Sequence, residues 1–421
     1  MNIKKKIMAK IVDVVAREIL DSRGFPTIEI DVSLDDGSIG RASVPSGAST
    51  GTFEAHELRD NDSRYHGKGV LKAIYAISHV LKPLLMGVNV QDQKTIDNIM
   101  IHADGSKNKS ILGANALLGV SLACAKAAAL SLKIPFYQYI QKVGDFKSEM
   151  QQPRPMMNVI NGGAHADNAL DIQEFMIVPM NASCIKESIR MGSEIFQNLK
   201  KILKQNKLNT NVGDEGGFAP QLQSTRQTLN YLIDAINISG YGPGCDVCIA
   251  LDVAANELLQ DDGTYSFEGE NISASDLVNV YKNLCDEFPI ISIEDGFAEE
   301  DFKAWALLTK ELGDKIQIVG DDLFVTNVEK LKMGIDQKLA NAVLIKPNQI
   351  GTLTETLETI QCAQVNNFKC IISHRSGETE DTCIADIAVG TSAGQIKTGS
   401  LSRTDRVAKY NQLIRIEEQL G

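Results

Sequence analysis

The chain has 421 residues, room for two or three average domains or for one small domain beside one large barrel. Hydrophobic residues make up 43% and charged residues 23%, the balance of a globular chain with a sizeable core. Lysine and arginine number 42 against 54 aspartates and glutamates, a net charge of −12. That excess argues against a nucleic-acid backbone or an anionic membrane as partner, since both need clustered cations.

The opening MNIKKKIMAK carries Lys4, Lys5 and Lys6, but Lys10 and Asp13 interrupt any apolar run long enough for a signal peptide. This run is expected to be a solvated tail. Thr27–Val32 (TIEIDV) and Ser38–Val44 (SIGRASV) flank Asp35, Asp36 and Gly37, which predicts an antiparallel hairpin. Helical text follows over 68–86 and 111–132. The second stretch, ILGANALLGVSLACAKAAALSL, could span a bilayer by length. Its Ala, Gly and Ser content and Lys126 point instead to a buried helix packed closely through small residues. Residues 144–155 are polar and proline-punctuated, a linker that divides the chain into 1–147 and 148–421.

Beyond the linker, short apolar runs alternate with amphipathic helices. Cys184–Gln205 sets Ile185, Ile189, Phe196, Leu199 and Leu203 on one stripe. Glu299–Leu312, Leu353–Asn366 and Thr404–Leu420 read the same way, with Trp305 as packing. Strand–helix alternation implies a parallel sheet, and 148–421 is long enough for a (β/α)₈ barrel. An open doubly wound sheet fits the periodicity nearly as well. The residues that end each apolar run favour the barrel: Asp252, Glu294 with Asp295, Asp321 with Asp322, Lys346, His374 with Arg375, and Lys397. Their intervals each suit one strand–helix unit, and a barrel gathers strand carboxyl ends at one mouth.

Three carboxylates on neighbouring strands, Asp252, Glu294 and Asp321, would repel unless a cation joined them. All-oxygen ligation without His or Cys selects Mg²⁺ or Mn²⁺ over zinc. Lys346 among carboxylates alone would be a firmly protonated cation. Beside divalent ions and Lys397 its neutral form gains, and it becomes a candidate base. With His374 and Arg375 as a cationic patch, the pattern suggests proton abstraction next to the carboxylate of an anionic substrate.

Away from this pattern, the eight cysteines are scattered, and only Cys245 and Cys248 form a CxxC, with no second pair to complete a zinc site. Reduced thiols in a cytoplasm are expected. His56, His66, His79 and His102 read as surface or helix-packing residues. Gly47-Ala48-Ser49-Thr50-Gly51 also matches the serine-hydrolase pattern G-x-S-x-G. That elbow belongs after several strand–helix units, whereas here it follows a hairpin near the chain start.

From about Lys10 to the C-terminus the chain resembles the enolase family. The resemblance rests on VPSGASTGTFEAHELRD (44–60), GGAHADN (162–168), IQEFMIVP (172–179), GDEGGFAP (213–220), LDVAANE (251–257), SIEDGFAEED (292–301), VGDDLFVTN (319–327), IKPNQIGTLTET (345–356), SHRSGETEDT (373–382) and IKTGSLSRTDRVAKYNQLIRIEE (396–418). It implies a small α+β N-terminal domain with a mobile lid loop around Ser49, then a modified (β/α)₈ barrel whose first units break the simple alternation. The implied reaction is reversible dehydration of 2-phosphoglycerate to phosphoenolpyruvate in glycolysis and gluconeogenesis. By the same resemblance Lys346 is the base at C2 and Glu215 the acid at the 3-hydroxyl, with Glu174 in support and Gln173 beside the substrate. A glutamate held neutral among other carboxylates would suit the acid's role. Asp252, Glu294 and Asp321 match ligands of a first Mg²⁺, and Ser49 a ligand of a second that arrives with substrate. His165, His374, Arg375, Ser376 and Lys397 match residues that close on the substrate or bind its charged groups.

The resemblance further implies a cytoplasmic homo-oligomer, a dimer or an octamer, and extends to members found on cell surfaces bound to host proteins or in RNA-processing assemblies. A non-catalytic relative is opposed by the filled catalytic positions. Departures are few. Residues 1–9 extend beyond the family start, Phe25 stands where the family usually has Asn, and 260–270 is slightly short.

Overall fold

The computed structural model describes residues 8–48 and 50–421. The expectations for Lys4–Lys6 and for Ser49 lie outside the described residues.

The chain begins with an antiparallel three-stranded sheet: β1 (Ile11–Leu20), β2 (Pro26–Leu34) and β3 (Ile39–Ser43). The β2–β3 hairpin is the one expected from the alternation around Asp35-Asp36-Gly37. On β2 the inward residues Ile28, Ile30 and Val32 are fully buried. They face the helix Ala114–Leu132, whose Ala116, Ala123, Ala127 and Ala128 are also fully buried. Gly40 on β3 explains the small residues: a Cβ there would lie 2.2 Å from both the Ala123 carbonyl and the Ala127 nitrogen. Strand and helix backbones approach so closely that only small side chains fit between them. The helix is long and apolar enough to cross a membrane, but 78% of its apolar window is buried within the protein.

The helical text over 68–86 becomes Leu71–Leu85, interrupted by a π-helical turn at Ile77–Leu81. Pro83 follows that turn and cannot donate a backbone hydrogen bond, a local cause for the irregularity. A further helix, Gln93–Asp104, has no counterpart in the sequence reading; Asp92 caps it by accepting from the Thr95 nitrogen at 3.3 Å.

The second part is a closed eight-stranded barrel. Its strands are β4 (Arg154–Asn161), β5 (Glu174–Pro179), β6 (Val247–Asp252), β9 (Ile290–Glu294), β10 (Gln317–Gly320), β11 (Ala342–Ile345), β12 (Lys369–Ser373) and β13 (Gly394–Lys397). A small ribbon of β7 (Tyr265–Phe267) and β8 (Glu270–Ile272) sits outside it. Around the barrel the order is β10-β11-β12-β13-β4-β5-β6-β9. β5 pairs antiparallel with both β4 and β6, while the remaining barrel pairs are parallel. The reversal has a simple origin. The segment between β4 and β5 holds no crossover helix, so β5 runs back down. Two successive helices, Ile185–Gln205 and Thr225–Ile238, then carry the chain up and down again before β6 ascends.

The helices Phe302–Leu312, Leu353–Val365 and Thr404–Leu420 lie where the sequence placed them. Inside the barrel, Met156, Met176, Val178, Ala250, Val319, Ala342, Leu344 and Ile371 form a separate apolar cluster. It packs the interior beneath the strand carboxyl ends.

Candidate active site

The strand ends deliver the charged residues to one end of the barrel. Asp252 and Glu294 close β6 and β9 as register partners. Asp321 follows β10, Lys346 follows β11, His374 follows β12, and Lys397 ends β13 opposite Ser373. Because β5 runs the other way, Glu174 reaches the mouth from the start of its strand, opposite Asp252. One cavity is lined by His165, Gln173, Glu174, Glu215, Asp252, Asp321, Lys346, His374, Arg375, Ser376 and Lys397. Glu294 lies just beneath, fully enclosed. Every described residue that the sequence assigned to the site is therefore gathered in one place.

Lys397 is the hub of one half. Its Nζ lies 2.8 Å from Asp252 Oδ2, 2.9 Å from Glu294 Oε1 and 3.0 Å from Glu174 Oε1. Burial disfavours its ammonium, but Asp252, Glu174 and Glu294 outweigh that and hold its pKa well above the usual lysine value. Burial, and then Asp252, pushes Glu294 well above the usual carboxylate range, with Lys397 opposing. In the other half Lys346 Nζ lies 2.5 Å from Asp321 Oδ2. Burial works against this ammonium too, and Asp321 overcomes it, so Lys346 is a firmly protonated cation. That is the state expected of a lysine among carboxylates alone.

Glu174 and Glu215 form a pair around His165, whose Nδ1 is 3.8 Å from each. Asn158 donates to Glu215 Oε2 at 3.1 Å, and His374 Nε2 lies 3.3 Å from the same oxygen. Burial and then the neighbouring Glu215 charge raise Glu174 well above the carboxylate range. Glu215 feels the same burial, but His374, His165 and the Arg406 guanidinium bring it well below. Their surroundings therefore favour the protonated form on Glu174 and the ionised form on Glu215. His374 is pushed down to about 3, chiefly by burial.

Glu54 and Arg406, which sequence reasoning passed over, complete the frame together with Asp295, read there only as ending an apolar run beside Glu294. Glu54 pairs with Arg375 at 2.9 and 3.1 Å. The Asp295 carboxylate accepts the backbone N–H groups of Asp321 and Asp322 at 2.8 and 3.0 Å, fixing the turn that carries Asp321. Fully buried Arg406 touches His374 Nδ1 and donates to the carbonyls of Asp214, Arg375 and Ser376 at 3.1, 2.6 and 2.5 Å. Glu54 and Arg406 both stand within motifs quoted above, but nothing in those motifs tells a framing residue from a reacting one.

The donor chemistry suits a hard cation. Oxygen donors dominate the mouth, and two lysines are the cations nearest Asp252, Glu294 and Asp321. Ligand atoms converge within 4.8 Å in two groups, His165 with Glu174 and Glu215, and Asp295 with Asp321 and Asp322. Neither is the set named from the sequence. Asp252 and Glu294 meet on Lys397, whereas Asp321 is held by Lys346. Asp295 is committed to backbone donors, while Asp321 is held by the side chains of Lys346 and Gln349 and Asp322 by that of Asn256. Among the described residues, His165 Nδ1, Gln173 Oε1, Glu174 Oε2 and His374 Nε2 are buried without a hydrogen-bond partner. Polar atoms left so in a buried cavity mark a place for a polar ligand.

Elsewhere the described cysteines are free thiols, Cys245 exposed and Cys248 buried. His56, His66, His79 and His102 are exposed, and Trp305 is fully buried, donating to the Ala298 carbonyl at 3.0 Å.

Family models match both parts of the chain: the enolase N-terminal domain over residues 11–140 and the enolase C-terminal TIM barrel domain over 149–421. An enolase of Corynebacterium kroppenstedtii is 54% identical over 415 residues, covering 98% of this chain and 96% of that protein.

Proposed function

Because the chain belongs to the enolase family and is a lyase of the phosphopyruvate hydratase type, we propose that it interconverts 2-phosphoglycerate and phosphoenolpyruvate through the residues gathered at the barrel mouth. The observation that carries this reading is that one buried cavity holds a lysine on one side and a close pair of carboxylates, Glu174 and Glu215, on another. Loss of water across a C–C bond needs both: a base for the carbon-bound proton and an acid for the departing hydroxyl.

Asp252, Glu294 and Asp321 would hold a first Mg²⁺, and Ser49 a second that comes with substrate. When bound, these ions offset the second negative charge that builds on the substrate carboxylate as the C2 proton leaves. The protein's own groups do the rest. Lys346 Nζ takes the C2 proton and must be a neutral amine to do so. Burial, Arg375 and Lys397 all favour the neutral form, and Asp321 is its chief opponent. Asp321 engaged as a metal ligand would oppose it less. Across the cavity, Glu215 delivers a proton to the 3-hydroxyl and draws on Glu174, with His165 placed between them. Arg375, Ser376, His374, Gln173 and Lys397 orient the phosphate and carboxylate of the substrate. The same reading carries a cytoplasmic place in glycolysis and gluconeogenesis and a homo-oligomeric assembly.

The test is Lys346→Ala. It should abolish exchange of the substrate C2 proton with solvent while the protein still binds divalent metal. Persistent exchange would assign the base to another residue.

A further inference from the structure

Between Asp321 and Lys346 runs a closed ring of hydrogen bonds that the reaction above does not use. Gln349, 1% exposed, donates from Nε2 to Asp321 Oδ1 at 2.8 Å. Its Oε1 accepts from the Thr326 hydroxyl at 2.8 Å, and the same hydroxyl accepts the backbone N–H of Lys346 at 2.9 Å. The Lys346 side chain returns to Asp321 through Oδ2. Asp321 is thus gripped on one oxygen by an amide and presents the other to Lys346. The amide cannot turn over without losing both bonds, because Oε1 would then face a carboxylate and Nε2 an occupied donor.

Two further observations show that the ring is built rather than incidental. Val325 and Thr326 are consecutive β-branched residues with φ of 43° and 55°. Side chains branched at Cβ rarely tolerate this left-handed region, and such conformations persist only where surrounding contacts over-determine them. Thr326 is fully buried, and its hydroxyl makes both bonds of the ring. Gln349 also reaches the segment beyond the Ser49 loop: its carbonyl accepts from the Ala55 nitrogen at 2.8 Å, and its Nε2 lies 3.3 Å from Glu54 Oε1. Glu54 in turn holds Arg375.

We infer that Gln349 is a positioning residue: it selects which Asp321 oxygen faces the cavity, fixes the Lys346 backbone through Thr326, and ties both to the Glu54–Arg375 pair. This rests on the reading of Asp321 as a metal ligand and Lys346 as the base. Outer partners of metal ligands are worth about 10–100-fold in metal affinity or activity when removed. An apolar side chain of similar length, Gln349→Met, keeps the volume and removes the side-chain bonds to Asp321, Thr326 and Glu54.

The experiment is a Mn²⁺ titration of the substrate-free protein, with kcat and KM measured alongside. Gln349→Met should bind Mn²⁺ roughly 10–100-fold more weakly and lose kcat by a similar factor, with KM changed by less than about threefold. Should Gln349→Met fail to fold, Thr326→Val and Thr326→Ser carry the same test. Val removes the hydroxyl and should weaken Mn²⁺ binding, and Ser should restore it, which a packing role would not predict. Wild-type affinity and kcat in Gln349→Met, or equal behaviour of Thr326→Val and Thr326→Ser, would overturn the inference. A wild type that binds no Mn²⁺ would overturn the ligand reading beneath it instead.

Discussion

Lys397 concentrates more of the site's electrostatics than any other described side chain, so removing it gives the sharpest structural consequence. Its ammonium is 2% exposed and lies within 3.0 Å of Asp252, Glu294 and Glu174. At an effective dielectric of about 20, each such contact is worth roughly 5 kcal/mol before desolvation. The desolvation of the ions takes back several kcal/mol, and removing one partner of a buried pair typically costs about 3–5 kcal/mol. Lys397→Met should therefore destabilise the metal-free protein by about that amount at pH 8, a large share of a usual folding free energy of roughly 5–15 kcal/mol. The contribution of Asp252 to the pH dependence should also change sign. In the wild type Lys397 overcomes burial and holds Asp252 below its ordinary value, so its stabilisation is present above the unfolded pKa and lost as pH falls through the folded one. Without Lys397, burial leaves Asp252 raised. Its charge then penalises the fold at neutral pH, and acid relieves the penalty. Urea unfolding in EDTA at pH 5 and pH 8 reads this directly. A variant as stable as wild type at pH 8, or a loss that acid does not reduce, would refute the reasoning.

Other expectations follow from single features of the structure. Glu215→Gln should keep exchange of the C2 proton while slowing phosphoenolpyruvate formation by about 10²-fold or more, measured by isotope wash-out beside product absorbance. Gly40→Ala drives a methyl to 2.2 Å from backbone atoms of the helix Ala114–Leu132, which cannot yield as a side chain would. It should cost about 3 kcal/mol or more in urea unfolding, beyond the usual effect of a surface strand substitution. Asp97 is fully enclosed and pushed up to about 6, chiefly by burial. A raised carboxyl penalises folding above its folded pKa and not below its unfolded one. The stability of Asp97→Asn relative to wild type should hence improve by up to roughly 3 kcal/mol between pH 4 and pH 8. A pH-independent difference would remove Asp97 as the source.

Much of the site was legible because a charge closing a short apolar run is a local pattern. Asp252, Glu294, Lys346, His374 and Lys397 could each be placed at a strand end from a few neighbouring letters. Glu174 shows the limit. IQEFMIVP has no direction written in it, and only the pairing of β5 with β4 and β6 puts its first residue, not its last, at the mouth. The resemblance supplied Glu174 where periodicity could not. Gln349 and Thr326 were illegible for another reason: each is an ordinary polar letter, and their meaning lies in partners on other loops. The electrostatic difference between Glu174 and Glu215 depends on His374, His165 and Arg406, which approach Glu215 from different segments. In the N-terminal part, the small residues of Ala114–Leu132 announced close packing, but Gly40 as their counterpart emerged only from the register of β3 against the helix.

The most direct measurement is growth of phosphoenolpyruvate absorbance from 2-phosphoglycerate with Mg²⁺, after EDTA, and after Mg²⁺ is restored. Wild type should form product with Mg²⁺, stop with EDTA and recover on restoration, while Lys346→Ala should remain silent throughout. A folded, Mg²⁺-supplied wild type that forms no phosphoenolpyruvate, or a Lys346→Ala variant that forms it at the wild-type rate, would contradict the proposed chemistry.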